Sequence, residues 1–409
     1  MMNEELRALR KRCAAFPLFF GASCLIILSA SLNIVLAAET ITADAAETRA
    51  ILQTVSHVST TDYTRITLSL SEEVRHKIFS APADPRTNAP ARLVIDFTPA
   101  RRGPRVPLTV AIHDGLLQQV RTGQFSSSTV RVVLDIESID NYKTFVLYNP
   151  YRLIIDVRGR AKREAPRAPA PAKPESLVTI MLDPGHGGKD PGAMGAARIP
   201  EKDIVLAISR RLGRKLSTRL PIKVLYTRLS DVFVPLEERI AQANAARVDL
   251  FISIHANASV NTDLQGVETY YLNNTNDRAT IRLAALENGL RLHGGSRSDG
   301  EAGLSYLLSD LIQSGKEEDS IALAHHLQDA LITRARERYP AVRDLGVKKG
   351  PFYVLVGAHM PCVLVETAFM THRVEGKYLM EPAYQEALAE GLFLGVARFL
   401  RTARMEKSL

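Results

Sequence analysis

Four residues of this chain have types and positions suited to chemistry at a metal ion. His186 stands in "MLDPGHGGKDPG" (181–192), where an apolar run gives way to a turn rich in Gly and Pro. His255 ends the apolar run "DLFISIH", and Glu366 ends "CVLVE". Glu201 opens "EKDIVLAISRRLGRKLSTRL", fifteen residues after His186. Taken singly, each has an ordinary explanation: a turn histidine, a strand-end histidine, or a carboxylate on a helix N-terminus, worth ~0.3–1 kcal/mol. Glu366 resists such an explanation, because a carboxylate buried at a strand end is costly unless a cation or a proton accompanies it. Two histidines and one carboxylate are a usual ligand set for catalytic zinc, with a fourth position for water. Zinc acidifies such a water to a pKa of ~7 and polarises a bound carbonyl. A further carboxylate must then move the proton, the role expected for Glu366. The same ligand set also holds iron. "GHGGKD" is not a phosphate loop, since Asp190 stands where a Walker A motif needs Ser or Thr.

The elements around these residues predict how they meet. From Val178 onward, apolar runs ("VTIMLD", "KVLYTR", "DLFISIHAN", "VETYYL", "CVLVETAF") alternate with helical patterns. In the first helix Ile204, Ile208, Leu212 and Leu216 form one stripe. "PLEERIAQANAA" is a helix opened by Pro235, and "EEDSIALAHHLQDALITRARERY" and "PAYQEALAEGLFLGVARFLRTA" are longer ones. This rhythm predicts an α/β domain over 177–402, a mainly parallel sheet covered by helices on both faces. Ligands gather at the carboxyl ends of the strands in such a sheet, so His186, His255 and Glu366 reach one edge. The strand-to-helix loop can return Glu201 to it. Residues 274–316 interrupt the rhythm. There "TIRLAALENGLRL" sets Ile281, Leu283, Leu286 and Leu290 at helical spacing, and "LSYLLSDLI" (304–312) is a second apolar helical piece.

Residues 39–158 have another texture. "RITLSLS", "RLVIDF", "VRVVLDI", "TFVLY" and "RLIIDVR" are short β-branched runs separated by turn residues, which predicts an all-β sandwich. An internal repeat runs through them: "LQTV", "RITLSL", "HKIF" and "RLVIDF" are echoed by "LQQV", "RVVLDI", "YKTF" and "RLIIDV". It suggests two similar β-units packed face to face. Residues 159–176 are Pro/Ala-rich and basic, a semi-stiff linker.

The N-terminal 1–38 combine Arg7, Arg10, Lys11 and Arg12 with an uncharged run from Cys13 to Ala38. This reads as a secretory signal peptide, with no membrane span left after cleavage, or as an uncleaved anchor. The formal net charge of +8 suits an anionic polymer or membrane surface, but no motif for nucleic acid is present. Of three cysteines, only Cys362 lies beyond the signal, so no intramolecular disulfide forms in the mature chain.

"LDPGHGGKDPGAMG", "EKD", "SIHAN" and "VLVETAFM" occur in an order that resembles the zinc-dependent N-acetylmuramoyl-L-alanine amidases of the amidase-3 type. "RLVIDF" and "RLIIDV" resemble the AMIN domain that accompanies them in Gram-negative periplasms. The resemblance implies hydrolysis of the amide between N-acetylmuramic acid and L-alanine of the peptidoglycan stem peptide, in separating daughter cells. It implies one Zn2+ ion on His186, Glu201 and His255, with Glu366 catalytic, and an AMIN domain holding the enzyme on peptidoglycan. Division amidases of this type carry an inserted helical segment that covers the zinc until an activator with a LytM-type domain displaces it. "LAALENGLRL" resembles that segment, which makes Glu287 a possible inhibitory fourth zinc ligand; a solvent-facing Glu on an amphipathic helix is the alternative. His325, His326 and His359 are expected to be structural or surface residues, with His359 a candidate for substrate contact. A zinc peptidase cutting within the stem peptide, and a wall-binding scaffold without activity, are the rival readings.

Overall fold

Alternating β-branched and polar residues set up the N-terminal half as strands, and a computed structural model describes them. It covers residues 49–159, 177–289 and 316–406, apart from residues 61, 149, 196 and 197. The expected signal 1–38, the linker 159–176 save Gly159, and the apolar piece 304–312 lie outside the described residues. Among the described residues ten strands make the β-domain: β1 (Ala50–Ser59), β2 (Tyr63–Leu70), β3 (Arg75–Ala81), β4 (Arg92–Thr98), β5 (Ala100–Arg102), β6 (Thr109–Ala111), β7 (Leu117–Gln124), β8 (Val130–Ile136), β9 (Asn141–Leu147) and β10 (Tyr151–Arg158). They form two five-stranded sheets, β5-β1-β2-β10-β9 and β3-β4-β8-β7-β6. Leu68, Ile95, Phe97, Val132, Leu134 and Leu153 are fully buried in its core.

The repeat is real, but its halves do not each form a sheet. β1–β2 of the first repeat join β10–β9 of the second, and β3–β4 join β8–β7. Ile66 therefore pairs with Ile155, and Ile95 with Val132. The exchange gives each repeat's inner strand a partner from the other and leaves fewer edges unpaired than separate hairpins would. It also crosses the repeat's charges. Arg65 and Arg131 are equivalent positions, as are Asp156 and Asp96, and each Arg meets the Asp of the other repeat, at 2.6 Å and 2.7 Å. The Arg65–Asp156 pair is sealed beneath the α/β domain, where Arg65 Nη1 donates to the Glu237 carbonyl at 3.1 Å. The Arg131–Asp96 pair stays partly exposed, with Arg131 stacked on Phe125.

In the α/β domain, apolar runs give β11 (Val178–Pro184), β12 (Ile222–Tyr226), β13 (Leu250–Asn257), β14 (Val267–Leu272), β15 (Asp344–Gly350) and β16 (Cys362–Phe369). Their order is β12-β11-β13-β16-β14-β15. Every neighbouring pair is parallel except β14–β16. The helices are α1 (Glu201–Arg219), α2 (Leu236–Ala245), α3 (Arg278–Glu287), α4 (Glu317–Arg336), α5 (Glu375–Tyr378) and α6 (Pro382–Glu406). The α1 stripe Ile204, Ile208, Leu212 and Leu216 packs with α4 and α6 on one face, against Ile180, Ile252 and Val365. The other face carries Met181, Phe251 and Leu364 beneath α2, α3 and the 351–357 segment. The sheet is thus mainly parallel and covered on both faces.

The β-domain docks on that second cover. Phe145, Leu147 and Ile154 pack against Tyr353 and Val356. Arg152 Nη1 binds Glu237 Oε2 of α2 at 2.6 Å, and Asn244 Nδ2 reaches both Tyr63 Oη at 3.3 Å and the Gly357 carbonyl at 2.9 Å. Removing one partner of a buried ion pair strands the other, whereas an exposed pair contributes little. We predict that Arg65→Met costs about 3–5 kcal/mol, whereas Arg131→Met costs about 1 kcal/mol or less. Denaturant midpoints of the two variants check this, and equal losses would contradict it.

Candidate metal centre

The carboxyl ends of β11 and β13 bring the two imidazoles together. β11 ends at Pro184, and the chain turns sharply through Gly185 and His186, itself at φ 59°. A Cβ on Gly185 would lie 2.5 Å from the His255 ring, so only glycine lets the loop cross that imidazole. Gly192, at φ 67°, lies where a Cβ would meet both His186 and Glu201 at 2.6 Å. The two rings meet edge to face with centroids 4.9 Å apart. α1 begins at Glu201, whose buried carboxylate points back to them. Its Oε2 accepts from the Ala193 amide at 2.9 Å, and its Oε1 from the Ala256 amide at 3.0 Å.

Glu287, the last residue of α3, completes the group. His186 Nε2 lies 3.1 Å from Glu201 Oε2 and 3.3 Å from Glu287 Oε2. His255 Nδ1 lies 3.1 Å from Glu201 Oε1 and 2.9 Å from Glu287 Oε2. One donor atom from each of the four residues falls within 4.8 Å of all the others. His186 Nε2, His255 Nδ1 and Glu287 Oε2 are buried without a hydrogen-bond partner. Four ligands held at ~2.0–2.1 Å around a tetrahedral ion would lie about 3.3 Å from one another. Donor set, spacing and orphaned atoms therefore fit a divalent cation. Glu366 stands beside this group. It pairs with His255 in the β13–β16 register, is fully buried, and has no partner for either carboxylate oxygen.

The electrostatics point the same way. Burial opposes charge on His186, but Glu201 and Glu287 outweigh it and raise its pKa well above the imidazole range. Burial likewise opposes charge on His255, and Glu287 and Glu201 lift it to about 10. Burial, and then the Glu287 charge, push Glu366 well above the carboxylate range. Excess negative charge thus recruits protons wherever no cation is bound.

A second layer aims the first. Asp190 Oδ2 lies 2.9 Å from His186 Nδ1, which turns the ring's Nε2 toward the cluster. Beneath the loop, Asp183 is fully buried and accepts from Arg239, Thr227 and Ser253 at 2.8, 2.6 and 2.8 Å. Arg239 also donates to the carbonyls of Pro184 and His186, each at 2.8 Å. Arg228 donates to the carbonyls of Pro184, Gly185 and Lys202. Two buried guanidinium groups therefore fix the backbone that carries His186. On the other side of Glu366, Glu268 lies directly opposite it in the β14–β16 register, held by Asn257 at 2.6 Å and Lys348 at 2.5 Å.

The structure brings His186, Glu201, His255, Glu287 and Glu366 together. His359 is elsewhere, against Tyr63 of the β-domain with ring centroids 5.2 Å apart, and burial lowers its pKa to about 4. His325 is exposed on α4, and His326 packs edge-on to Phe399. Sequence reasoning missed Asp183, Asp190, Arg228, Arg239 and Glu268. For Asp183 the signal was available, since it ends the apolar run "VTIML" just as Glu366 ends "CVLV".

The model of the family described as N-acetylmuramoyl-L-alanine amidase matches residues 180–398, and that of the AMIN domain matches residues 58–143. The chain is 28% identical over 371 residues to the N-acetylmuramoyl-L-alanine amidase AmiC of Escherichia coli O6:H1, across 82% of this chain and 86% of that protein. It is 29% identical to AmiC of Neisseria meningitidis serogroup B, across 84% and 89%. AmiA of Salmonella typhimurium is 31% identical, across 56% of this chain and 79% of that protein.

Two outcomes are expected of the site. Arg239→Met leaves Asp183 without its cation and removes one of the two braces of the His186 loop, so zinc affinity falls about 10–100-fold in a chelator competition. An unchanged affinity would contradict the brace. Because the imidazoles are protonated at neutral pH when no metal is bound, binding must displace those protons. Affinity therefore rises with pH between about 6 and about 8, roughly tenfold per unit for each proton displaced. A flat profile would mean the ion binds elsewhere.

Proposed function

The chain belongs to the N-acetylmuramoyl-L-alanine amidase family, and on that premise we propose that it hydrolyses the amide between N-acetylmuramic acid and L-alanine of the peptidoglycan stem peptide. One observation carries the proposal: an unpartnered, fully buried Glu366 stands beside the His186–Glu201–His255 donor group, within the segment the amidase model matches. In this reading His186 Nε2, Glu201 and His255 Nδ1 hold a single zinc ion. When bound, the ion supplies Lewis acidity to the amide carbonyl and to a water. Glu366 takes the water's proton on its carboxylate and delivers it to the leaving nitrogen of L-alanine. Asp190 keeps His186 in the tautomer that presents Nε2, and Arg239 and Arg228 hold its loop still through the reaction.

Glu287 is then an inhibitor: its carboxylate takes the position that water and substrate need. Withdrawing α3 opens that position. The β-domain, an AMIN domain, is read as the part that holds the enzyme on the wall at the septum. A LytM-type activator docking on the 274–316 insert is read as the agent that withdraws α3. The basic, then uncharged, N-terminus supports export to the periplasm, and among the described residues no helix is long and apolar enough to cross a membrane.

Mass spectrometry of products from purified sacculi tests the reaction. Zinc-loaded Glu287→Ala should release stem peptides beginning at L-alanine at least about ten times faster than the parent chain, a shift of ~1.4 kcal/mol. Adding Glu366→Gln should lower that rate roughly a hundred- to ten-thousand-fold while the ion stays bound. Shortened peptides still attached to muramic acid would make the enzyme a peptidase instead.

A further inference from the structure

Among the described residues, Asn288 fastens the helix that ends in Glu287 at that end. Asn288 follows Glu287, is almost fully buried, and caps α3 through its amide to the Ala284 carbonyl at 2.9 Å. Its side chain makes two bonds to one short segment. Nδ2 donates to the Pro351 carbonyl at 3.0 Å, and Oδ1 accepts from the Tyr353 amide at 2.8 Å. Elsewhere along α3, Leu283 and Ala284 lie in apolar contact with Phe352, Tyr270 and Val354, while Leu286 is exposed.

The segment that receives Asn288 is the one on which the β-domain docks. The Tyr353 ring packs with Phe145, Leu147 and Ile154 of β9 and β10, and its hydroxyl accepts from the Tyr148 amide at 3.4 Å. Tyr353 is buried, and it touches the plug through its backbone and the β-domain through its side chain. Residues 353–355 form only one turn of 3₁₀ helix, with little rigidity of their own. Their position depends on what packs on either side.

We propose that the docked β-domain is the backstop of the plug: Phe145, Leu147 and Ile154 fix Tyr353, Tyr353 and Pro351 fix Asn288, and Asn288 holds Glu287 among His186, His255 and Glu201. The proposal rests on reading Glu287 as the inhibitor, and adds that inhibition needs the β-domain in place. Whatever pulls the β-domain off the 351–357 face loosens α3 without touching it. The domain that binds outside the catalytic site thereby becomes part of the lock.

Amide hydrogen exchange on the full chain, with peptide release measured in parallel, tests this. Phe145→Asp sets a charge in the docked face, and loss of protection at the Tyr148 amide reports undocking. Asn288→Ala cuts the link on the plug side and leaves the β-domain docked. Both variants should speed exchange of the backbone amides at positions 281 and 288 at least about tenfold. Both should raise basal release of peptides from sacculi several-fold, with no further gain in a Glu287→Ala background. Undocking by Phe145→Asp with unchanged exchange in α3 would overturn the proposal. So would unchanged exchange in Asn288→Ala, and Leu147→Ala, a milder cut in the docked face, takes the place of Phe145→Asp if that variant does not fold. Exchange reads the coupling whether or not an amide is cut. Failure of the amidase reading would therefore show separately, as α3 loosened with no stem peptide released by any variant.

Discussion

Two imidazoles and three carboxylates gathered in a buried space cannot all keep their ordinary charges. The donor atoms of His186, Glu201, His255 and Glu287 lie within 4.8 Å of one another, and Glu366 stands beside them with no hydrogen-bond partner. Burial without a counter-charge is among the most costly arrangements a fold can hold. A divalent cation resolves it, because each lone pair aimed at its neighbours becomes a ligand. The rest of the α/β domain reads as the scaffold for that one arrangement. The parallel pairing of β11, β13 and β16 sets His186, His255 and Glu366 along one edge, and the turn into α1 returns Glu201.

Such a cluster is only as good as the backbone beneath it. His186 sits in a left-handed conformation on a loop with little side chain of its own to anchor it. Arg228 and Arg239 supply the anchor from below, and Asp183 balances one of them. Arg239 belongs to α2, two residues from Glu237, which the β-domain grips through Arg152 and Arg65. The same cover that braces the His186 loop thus carries the domain interface. The 351–357 segment repeats the pattern for Glu287. The His186 loop and the end of α3 thus rest on one packing layer, so contacts remote from the cluster can reach it without a long chain of moving parts.

Much of this was legible in the residues, and the gaps have physical reasons. The stripe on α1 and the apolar runs of β11, β13 and β16 follow from period alone, and their ends mark His186, His255 and Glu366. β15 did not announce itself: "DLGVKKG" is an edge strand with two glycines and two lysines, held by pairing to β14 and not by its own pattern. The internal repeat was visible, but the exchange of strands between its halves was not, since pairing between distant segments leaves no local mark. Glu287 was reached through family resemblance, because an acid at the end of an amphipathic helix looks like any solvated residue. Asp190 and Arg239 were invisible for the opposite reason. Their partners are backbone atoms, a ring nitrogen and the buried Asp183 carboxylate, which only the fold brings near.

Crystallography of the full-length protein loaded with one equivalent of zinc, beside its Glu287→Ala variant, would show directly what holds the ion. The expected result is one tetrahedral ion held by His186, Glu201, His255 and Glu287 at ~2.0–2.1 Å, with a water in the fourth position of Glu287→Ala. An ion with Glu287 outside bonding distance, or one bound away from the two histidines, would contradict this.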